Sequence, residues 1–338
     1  MSFRFLRNLL SPKSSNPQLI FSIATRLFSA CQRLGADSFP DIPTSAYYDG
    51  LVHAAGRDRD LETLRHLLNK RVGDGCFNTA DTFSFIVNTS DSLSILDDLI
   101  ETISRLDEGF HRKQAYDSLV ARLCKLQRIE ESLRVVDFMA RGPCRLTAIT
   151  FHPILNCLTR KNKVEDAWRV IDKMRQLGAS PDLTAFNYLL TAHCVNGKLA
   201  AACEIVKRIE EEGMRANSRT YDALVLGACR TGKVEGALVL LRSMEDDGLP
   251  ALYSTHMHVI NALLKLGYYD QAVKFVRAYA GRDNGLDTEN YGVLAMKLIN
   301  LKKLDRAKVV LEEMRERGLA MGDKLKENFR LLCLQPEG

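Results

Sequence analysis

The sequence VEDAWRVIDKMRQLGASPD fills residues 164–182. VEGALVLLRSMEDDGLP begins at Val234 and LDRAKVVLEEMRERGLA at Leu304, each seventy residues after the copy before it. Halfway between these copies stand LAAACEIVKRIEEEGMR at 199–215 and YDQAVKFVRAYAGRDNG at 269–285. The period is therefore 35 residues. A fixed period constrains the fold more than any composition does. A short unit that cannot bury its own apolar stripe must bury it against its neighbours, and stacked neighbours make a solenoid.

Each unit reads as two helices. Ala167, Val170, Ile171 and Met174 fall at i, i+3, i+4 and i+7, one apolar stripe of an amphipathic helix. Gly178 follows as a stop, and Pro181 cannot continue the helix. In the first helix of the next unit, within TAFNYLLTAHCVNGK, Phe186, Leu189, Leu190 and then His193 or Cys194 repeat the spacing before Asn196-Gly197 breaks it. The spacing predicts helices of about 12–14 residues. Tiling gives eight helix–turn–helix units, at 45–79, 80–112, 113–147, 148–182, 183–217, 218–252, 253–287 and 288–322. The second is two residues short and carries the weakest pattern. Residues 323–338 add Leu325, Phe329 and Leu332, a stripe suited to capping the last unit. The expected fold is an all-α superhelix of about eight 35-residue hairpins.

The first 36 residues differ from the rest. They hold Arg4, Arg7, Lys13, Arg26 and Arg33, are rich in Ser, Leu and Phe, and contain no acidic residue. That is the profile of an organelle transit peptide. Arg26 stands three residues before a cut after Phe28, which is similar to a plant mitochondrial processing site, so 1–28 is read as the targeting segment. The expected location is the mitochondrial matrix, with the chloroplast second. Removing 1–28 leaves 43 basic against 42 acidic residues. The whole-chain charge of +5 thus mostly reflects targeting, and any nucleic-acid argument must rest on where charges sit. The longest apolar candidate, LIFSIATRLF at 19–28, is too short to span a bilayer and is interrupted by Arg26. The nine cysteines include no C-x-x-C pair, so neither a structural zinc site nor a disulfide framework is expected, and no cofactor is called for.

Units such as TYDALVLGACRTGKVEGALVLLRSMEDDGL resemble pentatricopeptide repeats of the P type. The resemblance covers 45–322. The period of 35 and the Gly-x-x-Pro-Asp ending at 178–182 set it apart from the tetratricopeptide repeat. It implies an α-solenoid that binds single-stranded organelle RNA along a concave groove, reading about one base per unit through the fifth and last residues. Carried onto this chain, those pairs are Asp49/Thr79, Ser84/Arg112, Asp117/Thr147, His152/Asp182, Asn187/Asn217, Asp222/Leu252, Met257/Asp287 and Gly292/Gly322. Only Asn187/Asn217 matches a standard pair, one that implies cytosine before uracil. Leu252, Met257 and the two glycines have no side-chain group that hydrogen-bonds a base edge. Asp49, Asp117 and Asp222 would bring negative charge toward RNA. The base-reading candidates are Asn187 and Asn217, then His152 and Asp182, with Asp117, Thr147 and Asp222.

A second row is basic. The thirteenth residues are Arg57, Ser92, Lys125, Arg160, Val195, Arg230, Lys265 and Asn300. Five cations at one register would form a ladder for phosphates, and the same cations complement the C-terminal end of a helix dipole. GACRTGK at 227–233 matches a phosphate-binding loop in outline, but Val234 replaces the Ser/Thr and the segment is a repeat turn. His256 and His258 have no third metal ligand nearby. Trp168 is expected to pack between units. No deaminase signature follows the array, and 16 residues after 322 leave no room for a nuclease domain. The first reading is a monomeric, non-catalytic RNA-binding adaptor acting in processing, stability, splicing or translation. The second is a structural solenoid that binds protein, such as a component of the mitochondrial ribosome or another large complex.

Overall fold

The computed structural model describes residues 43–334. The targeting segment read at 1–28 lies outside the described residues, as do the last four of the terminal cap. Among the described residues there are seventeen helices and no strand. They are α1 (Ser45–Arg57), α2 (Leu61–Gly73), α3 (Ser90–Leu93), α4 (Leu96–Ser104), α5 (Phe110–Lys125), α6 (Ile129–Arg141), α7 (Ala148–Arg160), α8 (Val164–Gln176) and α9 (Leu183–Val195). There follow α10 (Leu199–Glu211), α11 (Ser218–Arg230), α12 (Val234–Asp246), α13 (Tyr253–Lys265), α14 (Tyr269–Tyr279), α15 (Asn284–Asn300), α16 (Leu304–Glu316) and α17 (Asp323–Leu334). None is long and apolar enough to cross a membrane.

The apolar stripes are buried as their spacing requires. Ala167, Val170, Ile171 and Met174 are buried in α8, and Ala307, Val310, Leu311 and Met314 in α16. Between the two helices of a hairpin runs a three-residue link whose middle residue has positive φ. This is +67° at Gly197, +75° at Gly232 and +80° at Gly267. The left-handed conformation explains the glycines in NGK, TGK and LGY. Arg59, Gln127, Asn162 and Lys302 hold the same conformation at the equivalent places without being glycine.

Successive first helices pack against one another in a continuous row: α5 on α7, α7 on α9, α9 on α11, α11 on α13 and α13 on α15. From α6 on, second helices pack on their hairpin partner and on the next first helix and meet each other only marginally; α2 and α4 pack directly on one another, where the second unit lacks a first helix. A stack drawn together along one row and splayed along the other curves toward the close row. The first helices therefore line the inside. Where α9 meets α11 the approach is close enough that a Cβ on Gly227 would lie 3.0 Å from Cys194 Sγ.

Ion pairs bridge the outer row. Arg134 reaches Asp97, Lys173 reaches Asp137, Arg175 reaches Glu212, Arg282 reaches Glu245, Arg277 reaches Glu313 and Arg306 reaches Asp270. Among the described residues no ion pair joins 183–217 to 218–252. Lys207 would need an acid at 243 and finds Ser243. The gap between α10 and α12 is an apolar cleft lined by Ala202, Val206, Leu224 and Leu240.

The second unit departs from the tiling. Residues 80–89 form turns where a first helix is expected, followed only by the four-residue α3. TADTFSFIVNTS is dense in β-branched residues and in Ser, Thr, Asn and Asp, which hydrogen-bond locally and disfavour helix. The turn is held from both sides. Phe85 fills the space over Gly56, where a Cβ would stand 2.4 Å from the ring. Arg122 donates to the carbonyls of Ser84 and Ile86, acceptors that a helix would have satisfied internally. Two first helices also begin before the tiled boundary, α5 at Phe110 and α15 at Asn284. Asp283 caps the latter by accepting from the Leu286 amide at 3.0 Å. At the C-terminal end α17 is present; Leu332 is buried, and Leu325 and Phe329 pack on the core.

Candidate nucleic-acid interface

In four tiled units the last residue is the N-cap of the next first helix. Thr147, Asp182, Asn217 and Leu252 all have extended backbone immediately before α7, α9, α11 and α13. Asp182 accepts from the Ala185 amide at 2.9 Å, and Asn217 from the Arg219 and Thr220 amides at 3.1 and 3.0 Å. The small polar residues at this place thus have a structural duty, satisfying helix-end donors. The sequence signal was available, a Ser/Thr/Asp/Asn directly before an apolar-periodic run, but the cap role was not drawn from it.

At three places the fifth residue of a unit lies against the last residue of the same unit. His152 Nε2 is 2.8 Å from Asp182 Oδ1. Asn187 Nδ2 donates to Asn217 Oδ1 at 3.3 Å. Asp49 accepts from Thr79 at 2.5 Å. Three of the expected pairs are therefore joined directly. Asp117/Thr147 is not: Asp117 takes Lys113 Nζ at 2.6 Å, and the Thr147 hydroxyl is buried without a partner. Asp222/Leu252 is not joined either, since Leu252 has no polar side chain. Asp222 instead accepts from Ser254 and Thr255, each at 2.8 Å.

The acidic fifth residues carry less charge toward the groove than their identities suggest. Asp49 is buried against Arg71, which has no exposed surface and donates to it at 2.8 Å. Burial pushes the Asp49 carboxyl up. Hydrogen bonds from Thr79, Arg71 and Thr82, with the Arg71 charge, outweigh burial and hold it below the ordinary carboxylate value. Asp117 is paired with Lys113. At Asp222 burial also pushes up, and bonds from His258, Thr255 and Ser254 prevail, so that carboxyl too sits low. His256 is a packing residue. It is 1% exposed, stacked near Phe275 and Tyr279, and its Nδ1 meets Asn290 Nδ2 at 2.8 Å. Burial pushes its pKa down, so the ring is neutral. Trp168 lies 6.4 Å from Phe186 and under the Arg208 guanidinium, between successive units as expected.

The basic row is present as read. Arg57, Lys125, Arg160, Arg230 and Lys265 are each in the last turn of a first helix, and all are exposed. Among the described residues none of them makes an ion pair, whereas the outer-row cations are largely paired. Lys125 and Arg160 line one cleft of about 520 Å³ between α5 and α7, together with Gln127, Asn156 and Lys161. Two further residues escaped the sequence reading. Ile149 is 64% exposed, one turn before His152 on α7. Arg219 is exposed one turn before Asp222 on α11. Residues three apart share a helix face, so each sets a flat or apolar surface beside a fifth residue, of the kind on which an unstacked base lies.

A curved row of helical hairpins, with polar caps and unpaired cations repeated along its inner side, defines an α-solenoid repeat protein. A family model described as "Pentatricopeptide repeat-containing protein" matches residues 95–209 and 196–314. Two Arabidopsis thaliana proteins align along most of their length. Pentatricopeptide repeat-containing protein At3g56030, mitochondrial, is 46% identical over 333 residues, covering 98% of this chain and 95% of that protein. Pentatricopeptide repeat-containing protein At2g40240, mitochondrial, is 63% identical over 282 residues, 83% of this chain and 80% of that one. The chain belongs to the pentatricopeptide repeat family. Among solved structures, the pentatricopeptide repeat protein PPR10 in complex with an 18-nt psaJ RNA element is 18% identical with a TM-score of 0.47. That match covers 95% of this chain, which spans only 44% of the solved one.

Proposed function

We propose that this protein is a mitochondrial RNA-binding adaptor that holds single-stranded RNA along the inner row of first helices. The observation that carries this is the register of two features. Unpaired, exposed cations recur at the C-terminal end of five first helices, and polar cap–fifth-residue pairs recur at the N-terminal end. A polyanion lying across the row meets a positive group at one edge of five units and, at His152/Asp182 and Asn187/Asn217, a polar pair at the other edge; the unit 148–182 carries both. Phosphates neutralised at the first edge release counterions, and bases at the second meet hydrogen-bonding groups. The mitochondrion is the compartment in both relatives' names. The array is 45–322 and its cap begins at 323.

The reading is of a binding protein that acts without catalysis, as a monomer in the matrix. It would affect processing, stability, splicing or translation by occupying its RNA. The caps divide by chemistry. Asp182 spends Oδ1 on the helix and on His152, leaving Oδ2 as an acceptor toward a base N–H. Asn217 spends Oδ1 on the helix and leaves its amide N–H groups as donors. The second unit is a gap in the reading row, because Ser84 is bonded to His53 and Arg112 turns back to the Leu106 carbonyl. The test is recovery of RNA crosslinked to the protein in mitochondria. A shared motif among the recovered fragments is the expected result. Co-sedimentation with ribosomal subunits that survives RNA competitor, with no crosslinked motif, would favour the protein-binding solenoid instead.

A further inference from the structure

The third residue of a unit is repeatedly a fully buried threonine aimed at the fifth residue of the unit before it. Thr82 donates to Asp49 at 2.7 Å, Thr220 to Asn187 at 2.9 Å and Thr255 to Asp222 at 2.8 Å. All three threonines have no exposed surface, and Thr150 is equally buried beside Asp117 and Lys113. At the equivalent place before α9's fifth residue stands Ala185, and there His152 is held by Asp182 directly.

At Asn187 the consequence is chemical. Asn217 Oδ1 is fixed toward the helix by two backbone amides, so its amide orientation is not free. The Thr220 hydroxyl accepts from the Asn217 backbone N–H at 3.2 Å and has one proton to give. Asn217 Oδ1 is 3.1 Å from it but already takes two backbone donors, so the proton goes to Asn187 Oδ1 at 2.9 Å. Asn187 then places Nδ2 3.3 Å from Asn217 Oδ1, a longer third contact to that oxygen. Both acceptor oxygens are spent inside the protein. What remains to be offered is N–H alone: Asn217 Nδ2, which donates to no described protein atom, and the second hydrogen of Asn187 Nδ2, on a residue that is 6% exposed.

We propose that Thr220 is a positioning residue for specificity, one that locks the Asn187/Asn217 pair into a donor-only face. This rests on the groove reading above. A donor-only face fits a base edge with neighbouring acceptors. Cytosine offers N3 and O2 side by side, whereas uracil places N3–H between its carbonyls and guanine offers N1–H and N2–H. Without the hydroxyl, Asn187 keeps only the 3.3 Å bond to Asn217 and its buried oxygen has no donor. The amide then turns, presents an oxygen and accepts bases that carry a donor.

The test is selection from a pool of short single-stranded RNA of random sequence, with the full-length protein and three variants. Asn187→Ala marks which RNA position faces this pair. At that position Thr220→Val, which keeps the shape and removes the hydroxyl, lowers the cytosine-to-uracil enrichment about threefold to tenfold, one neutral hydrogen bond's worth. Other positions are unchanged, and Thr220→Ser retains the native preference. A Thr220→Val motif identical to the native one at the position Asn187→Ala alters overturns the proposal. So does equal weakening at every position in both Thr220 variants, which is the result of a damaged helix cap. A native protein that enriches no motif, or one in which no position responds to Asn187→Ala, takes the groove reading down with it. That outcome is distinguishable, because it appears before Thr220 is changed.

Discussion

Asp49 occupies a fifth-residue position, yet its chemistry is structural, and replacing it should cost stability and leave RNA preference alone. Arg71 is wholly buried and its counter-charge is Asp49, 2.8 Å away and 11% exposed on its side chain. Asp49→Asn keeps an acceptor near Arg71 and the threonines but strips the guanidinium of its compensating charge. Breaking a buried pair from one side costs about 3–5 kcal/mol. The low end applies, because Arg71 retains bonds to the Ser45 carbonyl, Asn78 and Thr82. In a solenoid each unit contacts only its neighbours, so the loss stays in the first hairpin. About 3 kcal/mol corresponds to about a hundredfold faster amide hydrogen exchange in α1 and α2, with α9 to α16 unchanged. Asp49→Leu with Arg71→Met should recover most of it, since an apolar pair of similar volume avoids the desolvation cost. Exchange within about threefold of native in Asp49→Asn would refute the reasoning, as would a changed RNA motif without a change in exchange.

Other consequences are as direct. Lys302 holds a left-handed backbone at φ +56°, so Lys302→Gly should stabilise by about 0.5–1 kcal/mol in urea unfolding, while Gly232→Ala should cost about 1–2 kcal/mol. Ser243→Glu places an acid opposite Lys207 at the spacing of Asp137–Lys173 and should add about 0.3–0.5 kcal/mol, an increment that added salt removes. His256 is held neutral by burial, with its folded pKa below the unfolded one. Its contribution is therefore complete above about pH 6.5 and is lost as pH falls below that value. Thermal melts between about pH 7.5 and pH 5 should show this loss, and His256→Phe should flatten it.

The repeat was legible because packing writes it in a period. Ala167, Val170, Ile171 and Met174 are buried for the reason their spacing gave, and Gly197 and Gly232 mark links that need positive φ. The second unit was less legible, since the turn at 80–89 depends on Phe85 entering the space over Gly56 and on Arg122 reaching two carbonyls. Those are contacts between residues far apart in sequence, without a local pattern. The candidate site was half legible. The positions followed from the family resemblance, and the basic row from counting. That Asp49 answers to Arg71 required the folded hairpin of their own unit, whereas the cap role of Asn217 was signalled locally by its place directly before an apolar-periodic run. The threonines at 82, 150, 220 and 255 recur at the third place and were in view throughout. Their meaning appeared only once the fifth residue of one unit was seen beside the third of the next.

The central claim is that the inner row carries RNA by its phosphates. It is tested most directly by the salt dependence of binding to a mixed-sequence single-stranded oligoribonucleotide. One cation per phosphate contributes about −0.7 to the slope of log K against log salt, so five contribute about −3.5. Replacing Arg57, Lys125, Arg160, Arg230 and Lys265 together by Ala should flatten the slope by about that much and weaken binding at low salt about a hundredfold. Binding that is absent from the native protein at low salt, or a slope that is the same in both proteins, would contradict it.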